Sequence, residues 1–248
     1  MVVTSLRDKI SVNYALLFPI ALMIGLGLYF NQGEIPARII TGVTAISTIF
    51  WGMQGIAFQV HLQRNKGVYK MLKLTPMPTL SFISIMIFAR TVIGVAINMS
   101  VWFVGVLFFK IDFSVLTVLL TLLLVLVGTL CFTSIGFLIA NFAKNEAQIS
   151  ILSNLIQMPM VLTSEAFYSL SNAPGWIQAV GQILPFEYFV SGLRGVITGE
   201  GTLLLGLFIP LIYMIGALLL SVPTFKWEEQ QISVKNKSKN FLSKEYTK

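Results

Sequence analysis

Charge is what this sequence has least of. Of its 248 residues only 11% are Asp, Glu, Lys or Arg, where a soluble domain carries about 25%. So little charge cannot cover a water-facing surface of that size, which excludes an ordinary soluble protein of one or two domains. Histidine and cysteine occur once each, as His61 and Cys131. A lone cysteine closes no intrachain disulfide, and the histidine and cysteine clusters of common metal sites cannot be assembled. A Ser-His-Asp arrangement would have to recruit His61. The phosphate-cradling GxxxxGK[ST] loop, HExxH, CxxC and GxSxG are all missing, so ATP hydrolysis is not expected on this chain. The ten acidic residues are scattered. Together these absences point away from an enzyme and from any cofactor held by this chain.

What the sequence does have is apolar length. Hydrophobic residues make up 56% of it and the mean hydropathy is +0.83. They fall in blocks near the ~20 residues that cross a hydrocarbon core. Lipid offers the backbone no hydrogen-bonding partner, so such blocks must be helices; the alternation of a β-barrel is absent. The expected fold class is all-α and polytopic, with six transmembrane helices at about 14–30, 37–59, 80–108, 115–139, 147–163 and 203–222. These make one transmembrane domain, 1–222, followed by a basic cytoplasmic tail, 223–248. Arg7 and Lys9 ahead of the first run resemble the start of a signal peptide, but no small-x-small cleavage site follows Phe30. An uncleaved first helix is predicted.

Six spans make loops alternate between the two sides, and the basic residues divide accordingly. Arg7, Lys9, Arg64, Lys66, Lys70, Lys73, Lys144, Lys226, Lys235, Lys237, Lys239, Lys244 and Lys248 fall on one side, and Arg38, Lys110 and Arg194 on the other. The acidic residues divide evenly. Positive charge stays in the cytoplasm, so both termini are expected there, in the cell membrane. The formal net charge of +7 then suits anionic lipid and cytoplasmic protein rather than nucleic acid.

Several polar residues interrupt the apolar runs. Arg90 lies about 16 Å along its helix, counted from Thr79 at ~1.5 Å per residue. Two readings fit it: snorkelling to cytoplasmic headgroups, or facing the bundle interior. Gln148, Asn154 and Gln157 sit in the fifth run with Pro159. They are either interhelical hydrogen-bonding groups or, together with Arg90 and Asn98, the polar wall of a path through the membrane.

Two inter-span segments carry most of the remaining information. In residues 61–78, Val68, Met71, Leu72 and Thr75 keep helical spacing while Lys66, Lys70 and Lys73 stay polar, and Pro76 and Pro78 end the run. That pattern predicts a short basic amphipathic helix at the membrane surface, serving as an anchor or as a docking surface. Residues 164–201 are too polar and too broken by proline and glycine for one span. Short helices in the outer leaflet are expected at 166–170, 176–184 and 186–196, with Trp176, Tyr188 and Phe189 at the interface. Glu165 and Glu187 are outer-surface charges or gate residues.

Gly67-Val68-Tyr69-Lys70, Met71-Leu72-Lys73-Leu74 and Thr75-Pro76 match the frame of a loop in a known family, and a second set of matches lies downstream. The second set is Pro159, Ser164, Pro174-Gly175-Trp176-Ile177, Leu184-Pro185 with Tyr188, and Gly192-Leu193-Arg194-Gly195. In order, and with six spans, these make the chain resemble the type-2 ABC exporter permeases, the transmembrane subunits of drug, antibiotic and polysaccharide export systems. The chain departs from that pattern at Arg64, Lys66 and Lys70, where acidic residues are customary, and at Glu165, in a glycine position.

The resemblance implies a permease half that pairs with a second copy or a paralogue and with two cytoplasmic ABC ATPase subunits, which carry the ATP and Mg. It implies a coupling element made of Arg64, Lys66, Gly67, Tyr69, Lys70, Leu72, Thr75 and Pro76. An exit segment would contain Glu165, Pro174, Trp176, Pro185, Glu187, Tyr188 and Arg194, and residues 4–13 would form an interfacial connecting helix. The implied activity is export of an amphipathic small molecule, drug or peptide antibiotic. A membrane scaffold or sensor recruiting a cytoplasmic partner through residues 226–248 is the competing reading. An ion-coupled carrier is a third, which would require a buried carboxylate near the midplane.

Overall fold

The computed structural model describes residues 9–30, 35–69, 77–170, 173–199 and 202–225. Among them the chain forms eight helices: α1 Lys9–Tyr29, α2 Ile35–Asn65, α3 Thr79–Phe109, α4 Val115–Phe142, α5 Glu146–Leu162, α6 Gly175–Ile183, α7 Pro185–Thr198 and α8 Leu203–Thr224. Within α2, α3, α4 and α8 lie apolar helical stretches long enough to cross a membrane by length and composition. The protein is therefore an all-α polytopic membrane protein.

Local chemistry sets the helix ends. Ser114 accepts from the Thr117 amide at 3.1 Å, and the Thr117 hydroxyl accepts from the Ser114 amide, a reciprocal box that starts α4. Asn145 caps α5 by accepting from the Gln148 amide at 2.8 Å, while Gln148 Oε1 accepts from the Lys144 amide at 2.9 Å. Gln148 thus takes part in capping the start of α5. Pro185 opens α7, where its missing N–H costs nothing, and Gly199, at φ 78°, closes it in the left-handed conformation.

α2 runs through the middle of the bundle. Its most extensive packing is with α4, followed by α3. In lipid, apolar contact alone does not drive helices together, so close approach of small residues matters more than in water. A Cβ at Gly136 of α4 would collide with the Met53 carbonyl oxygen of α2. One at Gly52 would lie 2.8 Å from the Phe132 side chain. The interior is filled by Ile49, Met53, Ile56, Trp102, Phe132, Phe137, Phe186 and Phe189, all essentially inaccessible.

Three features differ from those expected. α2 continues to Asn65 rather than ending near 59, so His61 and Arg64 lie on a helix and not in a loop. The reason is that Val60, His61 and Arg64 are buried against the bundle, which extends the packed face. Residues 166–170 form turns instead of a helix, because side chains take up their backbone groups: the Leu170 amide donates to Glu165 Oε1 at 3.0 Å. Phe189, expected at the interface, is fully buried against Phe132, with ring centroids 5.7 Å apart.

Replacing Gly136 with alanine is expected to push α4 away from α2 and to cost about 1–3 kcal/mol. The check is a lower thermal midpoint for the purified protein in detergent. An unchanged midpoint would show that the contact between the two helices is loose.

Candidate functional site

The polar side chains collect in three layers strung along α2. The first is at the end of α2, where the 66–78 segment begins. Arg64, only 6% exposed, donates from Nη1 to the Ala140 carbonyl at 3.0 Å and from Nη2 to Asn141 Oδ1 at 3.5 Å. Asn141 Nδ2 in turn donates to the Ser221 carbonyl and to Thr224 Oγ1, both at 3.2 Å. The ends of α2, α4 and α8 are thereby tied together. Phe225 closes the layer: its ring stacks on Phe137 at 5.7 Å, tilts against Phe82 at 5.5 Å and Tyr69 at 5.8 Å, and lies 6.0 Å from the Arg64 guanidinium.

The chain leaves α2 through a turn at Gly67, whose φ of 71° suits a residue without a Cβ. It then buries Tyr69 completely, with the phenol donating to Gln63 Oε1 at 3.2 Å. Burial pushes the Tyr69 phenol up from its ordinary value, with the Arg64 charge opposing. Lys66 is exposed. Lys70, Leu72, Thr75 and Pro76, and with them the expected amphipathic helix, lie outside the described residues. Arg64 and Tyr69 face inward rather than outward.

The second layer joins α2 to α3. Ser47 Oγ donates to Asn98 Oδ1 at 2.7 Å. One turn further along α2, Trp51 fills the notch at Gly94, where a Cβ would sit 2.5 Å from Trp51 Nε1. The Arg90 guanidinium lies 3.7 Å from the centre of the Trp51 ring, fills the notch at Gly55 and donates from Nη1 to Gln59 Oε1 at 3.4 Å. Ser47, Trp51, Gly55 and Gln59 are spaced at i, i+4 and so make one stripe that meets Asn98, Gly94 and Arg90. Of the two readings for Arg90, the interior one holds: the residue is 7% exposed. A desolvated contact between guanidinium and indole contributes about 2 kcal/mol. Sequence reasoning passed over Trp51, Gly55 and Gln59, although the four-residue spacing between them was there to be read.

α5 lies beside this layer. Gln157, fully buried, donates to the Ile49 carbonyl at 3.3 Å, while its Oε1 has no partner among the described residues. Asn154 is exposed and accepts from Gln54 Nε2 at 3.0 Å. Arg90 and Asn98 therefore belong to the α2–α3 seam, and Asn154 and Gln157 to the α2–α5 seam.

The third layer is at the turn between α5 and the two short helices. Arg194 of α7 donates from Nη1 to Glu165 Oε2 at 2.7 Å and from Nη2 to the Glu165 carbonyl. Glu187 Oε2 accepts from the Glu165 amide at 2.6 Å. Both carboxylates are half-buried and engaged, not free surface charges. Burial raises the Glu187 carboxyl well above the ordinary carboxylate range; the Glu165 amide opposes this, the Glu165 charge adds to it and Arg194 lowers it. Burial and then the Arg38 charge draw the Arg194 guanidinium down from its ordinary value, against Glu165 and Glu187. Pro174 opens α6, Trp176 projects 68% exposed, Pro185 is buried and the Tyr188 hydroxyl donates to the Gln182 carbonyl at 2.8 Å. Of the exit candidates, Glu165, Glu187 and Arg194 are thus brought together in one ion cluster.

A bundle of long apolar helices joined by buried polar seams is the body of a polytopic membrane protein. The chain belongs to the ABC-2 type transporter family, whose model matches residues 3–198. It is similar to the putative transport permease YvfS of Bacillus subtilis, with 26% identity over 87% of this chain and 90% of that one. It is also similar to the inner membrane transport permease YadH of Escherichia coli K12, with 24% identity over 80% of this chain and 73% of the relative. It is a non-catalytic transmembrane permease subunit of an ABC transport system.

Because the Glu187 carboxyl is raised in the folded protein, its contribution to stability is fully present below the unfolded carboxylate value and is lost as pH rises through the folded value. The thermal midpoint should therefore fall as pH rises from about 4 towards neutrality. Glu187→Gln, which can still accept from the Glu165 amide, should flatten that fall. A pH dependence identical in the two proteins would mean that Glu187 is solvated.

Proposed function

We propose that this chain is the permease half of an ATP-driven exporter. It has six spans with both termini in the cytoplasm, and it moves an amphipathic small molecule, drug or peptide antibiotic out across the cytoplasmic membrane. It works as a pair, with a second copy or a paralogue, on two cytoplasmic ABC ATPase subunits that bind ATP and Mg. α1 and α5 complete the six spans: α1 has 21 residues, and α5, with 17, is at the short limit of a span and requires local thinning of the bilayer.

The observation that carries this reading is the rooting of Arg64 and Tyr69, where the coupling segment begins, in the bundle. A contact that transmits motion from an ATPase must be stiff where it enters the membrane domain. Here the entry is buried and cross-tied through Arg64 and Tyr69. Lys66 and Lys70, basic where the family pattern is acidic, then select an ATPase whose docking surface offers carboxylates. On the opposite side, Glu165, Glu187 and Arg194 hold the turn before the two short helices, an arrangement suited to closing the exit. The exposed Gln54–Asn154 pair suits a face turned to a second permease and the substrate path rather than to lipid.

The test is co-purification from native membranes in mild detergent, followed by assay of ATP hydrolysis. The intact chain is expected to bring down an ATPase, and a variant with Lys66 and Lys70 both changed to Glu is expected to lose it while remaining folded. Recovery of no ATPase with the intact, folded chain would remove the coupling reading.

A further inference from the structure

The last helix touches both ends of the machinery. At its cytoplasmic end, Ser221 and Thr224 accept from Asn141, which is bonded to Arg64. Phe225, just past the helix and 8% exposed, is caged by Tyr69 of the coupling segment, Phe82 at the start of α3 and Phe137 of α4. At its other end α8 meets α7 almost backbone to backbone. A Cβ on Gly206 would fall 2.9 Å from both the Gly192 Cα and the Tyr188 carbonyl oxygen. Further along, the Tyr213 hydroxyl donates to the Ile183 carbonyl at 2.7 Å, at the end of α6.

Between these anchors α8 packs on α4 along one face and turns the other outward. Its outer face is apolar and largely exposed, with Phe208, Ile212, Ile215 and Leu219 all turned outward. Lipid resists a small axial shift of such a face far less than a packed protein interior does. α2, by contrast, is locked along its length by glycine notches and polar seams.

We propose that α8 is the rod that carries motion from the coupling segment to the exit helices. Phe225 is its cytoplasmic joint, and the Gly206–Gly192 contact with Tyr213 is its outer joint. This rests on the reading of residues 64–78 as the coupling element. A displacement of Tyr69 by the ATPase moves Phe225, hence α8, hence α6 and α7. Phe225 is in this sense a positioning residue, with no contact to substrate.

The experiment uses the purified complex of permease and ATPase. The permease carries Cys131→Ser to remove its own thiol and Ala179→Cys as a reporter on the exposed face of α6. The rate of labelling by a membrane-impermeant maleimide is compared with and without ATP plus vanadate. In this parent, trapping the nucleotide is expected to change the labelling rate. In Phe225→Ala the ATPase should stay bound and hydrolyse ATP, while the ratio of the two labelling rates falls to unity. Phe225→Tyr keeps the ring and should restore the response. Tyr213→Phe, which leaves the cytoplasmic joint intact, should diminish it.

A Phe225→Ala complex that labels like its parent overturns the inference. So does one in which the response and the bound ATPase are lost together, since the cage would then serve docking and not transmission. A parent that holds its ATPase but shows no labelling response also overturns it, leaving the coupling reading in place. A parent that recovers no ATPase removes the coupling reading and the rod with it.

Discussion

The structure depends on how closely α2 is approached by its neighbours. Lipid supplies little drive for apolar helices to associate, so contact must come from shape and from polar pairing. α2 provides both. Gly52 receives Phe132, Gly55 receives Arg90, Gly42 lies against the Ala166 carbonyl, and Met53 presents its own backbone to Gly136. Around these contacts Thr41, Thr44, Ser47 and Thr48 are buried, and Thr48 returns its hydroxyl to the Thr44 carbonyl at 2.7 Å. A helix so enclosed is a mast to which the other elements are fixed at different heights.

The three polar layers differ in what holds them. Near the coupling segment a cation is shared among neutral acceptors and the ring of Phe225. In the middle a guanidinium is accommodated by indole and amide. Only at the turn before α6 does a carboxylate meet an arginine directly among the described residues. At Arg64 and Arg90 dipoles and π faces supply part of the hold. This ion cluster sits at the turn between α5 and α6.

Much of the architecture was legible in the sequence. Uncharged runs such as 115–139 dictate helices because lipid leaves the backbone no alternative, and α4 covers that run with three further residues. The two short helices of the exit segment follow from the positions of Pro174, Pro185 and Gly199. Less legible was the direction in which polar side chains point. Arg64 and Tyr69 entered the coupling element through the family resemblance, which does not say which way a side chain turns. Partners far along the chain, Ala140, Asn141 and Phe225, turn them inward. Glu187 shows the same limit, since its half-buried state depends on the Glu165 backbone, twenty-two residues away. No local pattern encodes such pairings.

The α2–α3 seam also has a consequence for biogenesis. Trp51, Gly55 and Gln59, the groups that shelter the Arg90 guanidinium, all precede it in the chain. An arginine presented alone to the centre of a bilayer costs about 2.5–3.5 kcal/mol on insertion scales. Here the shelter has already been synthesised when α3 reaches the membrane. α2 and α3 are therefore suited to enter as a hairpin, with the earlier helix acting as an intramolecular chaperone for the charge on the later one.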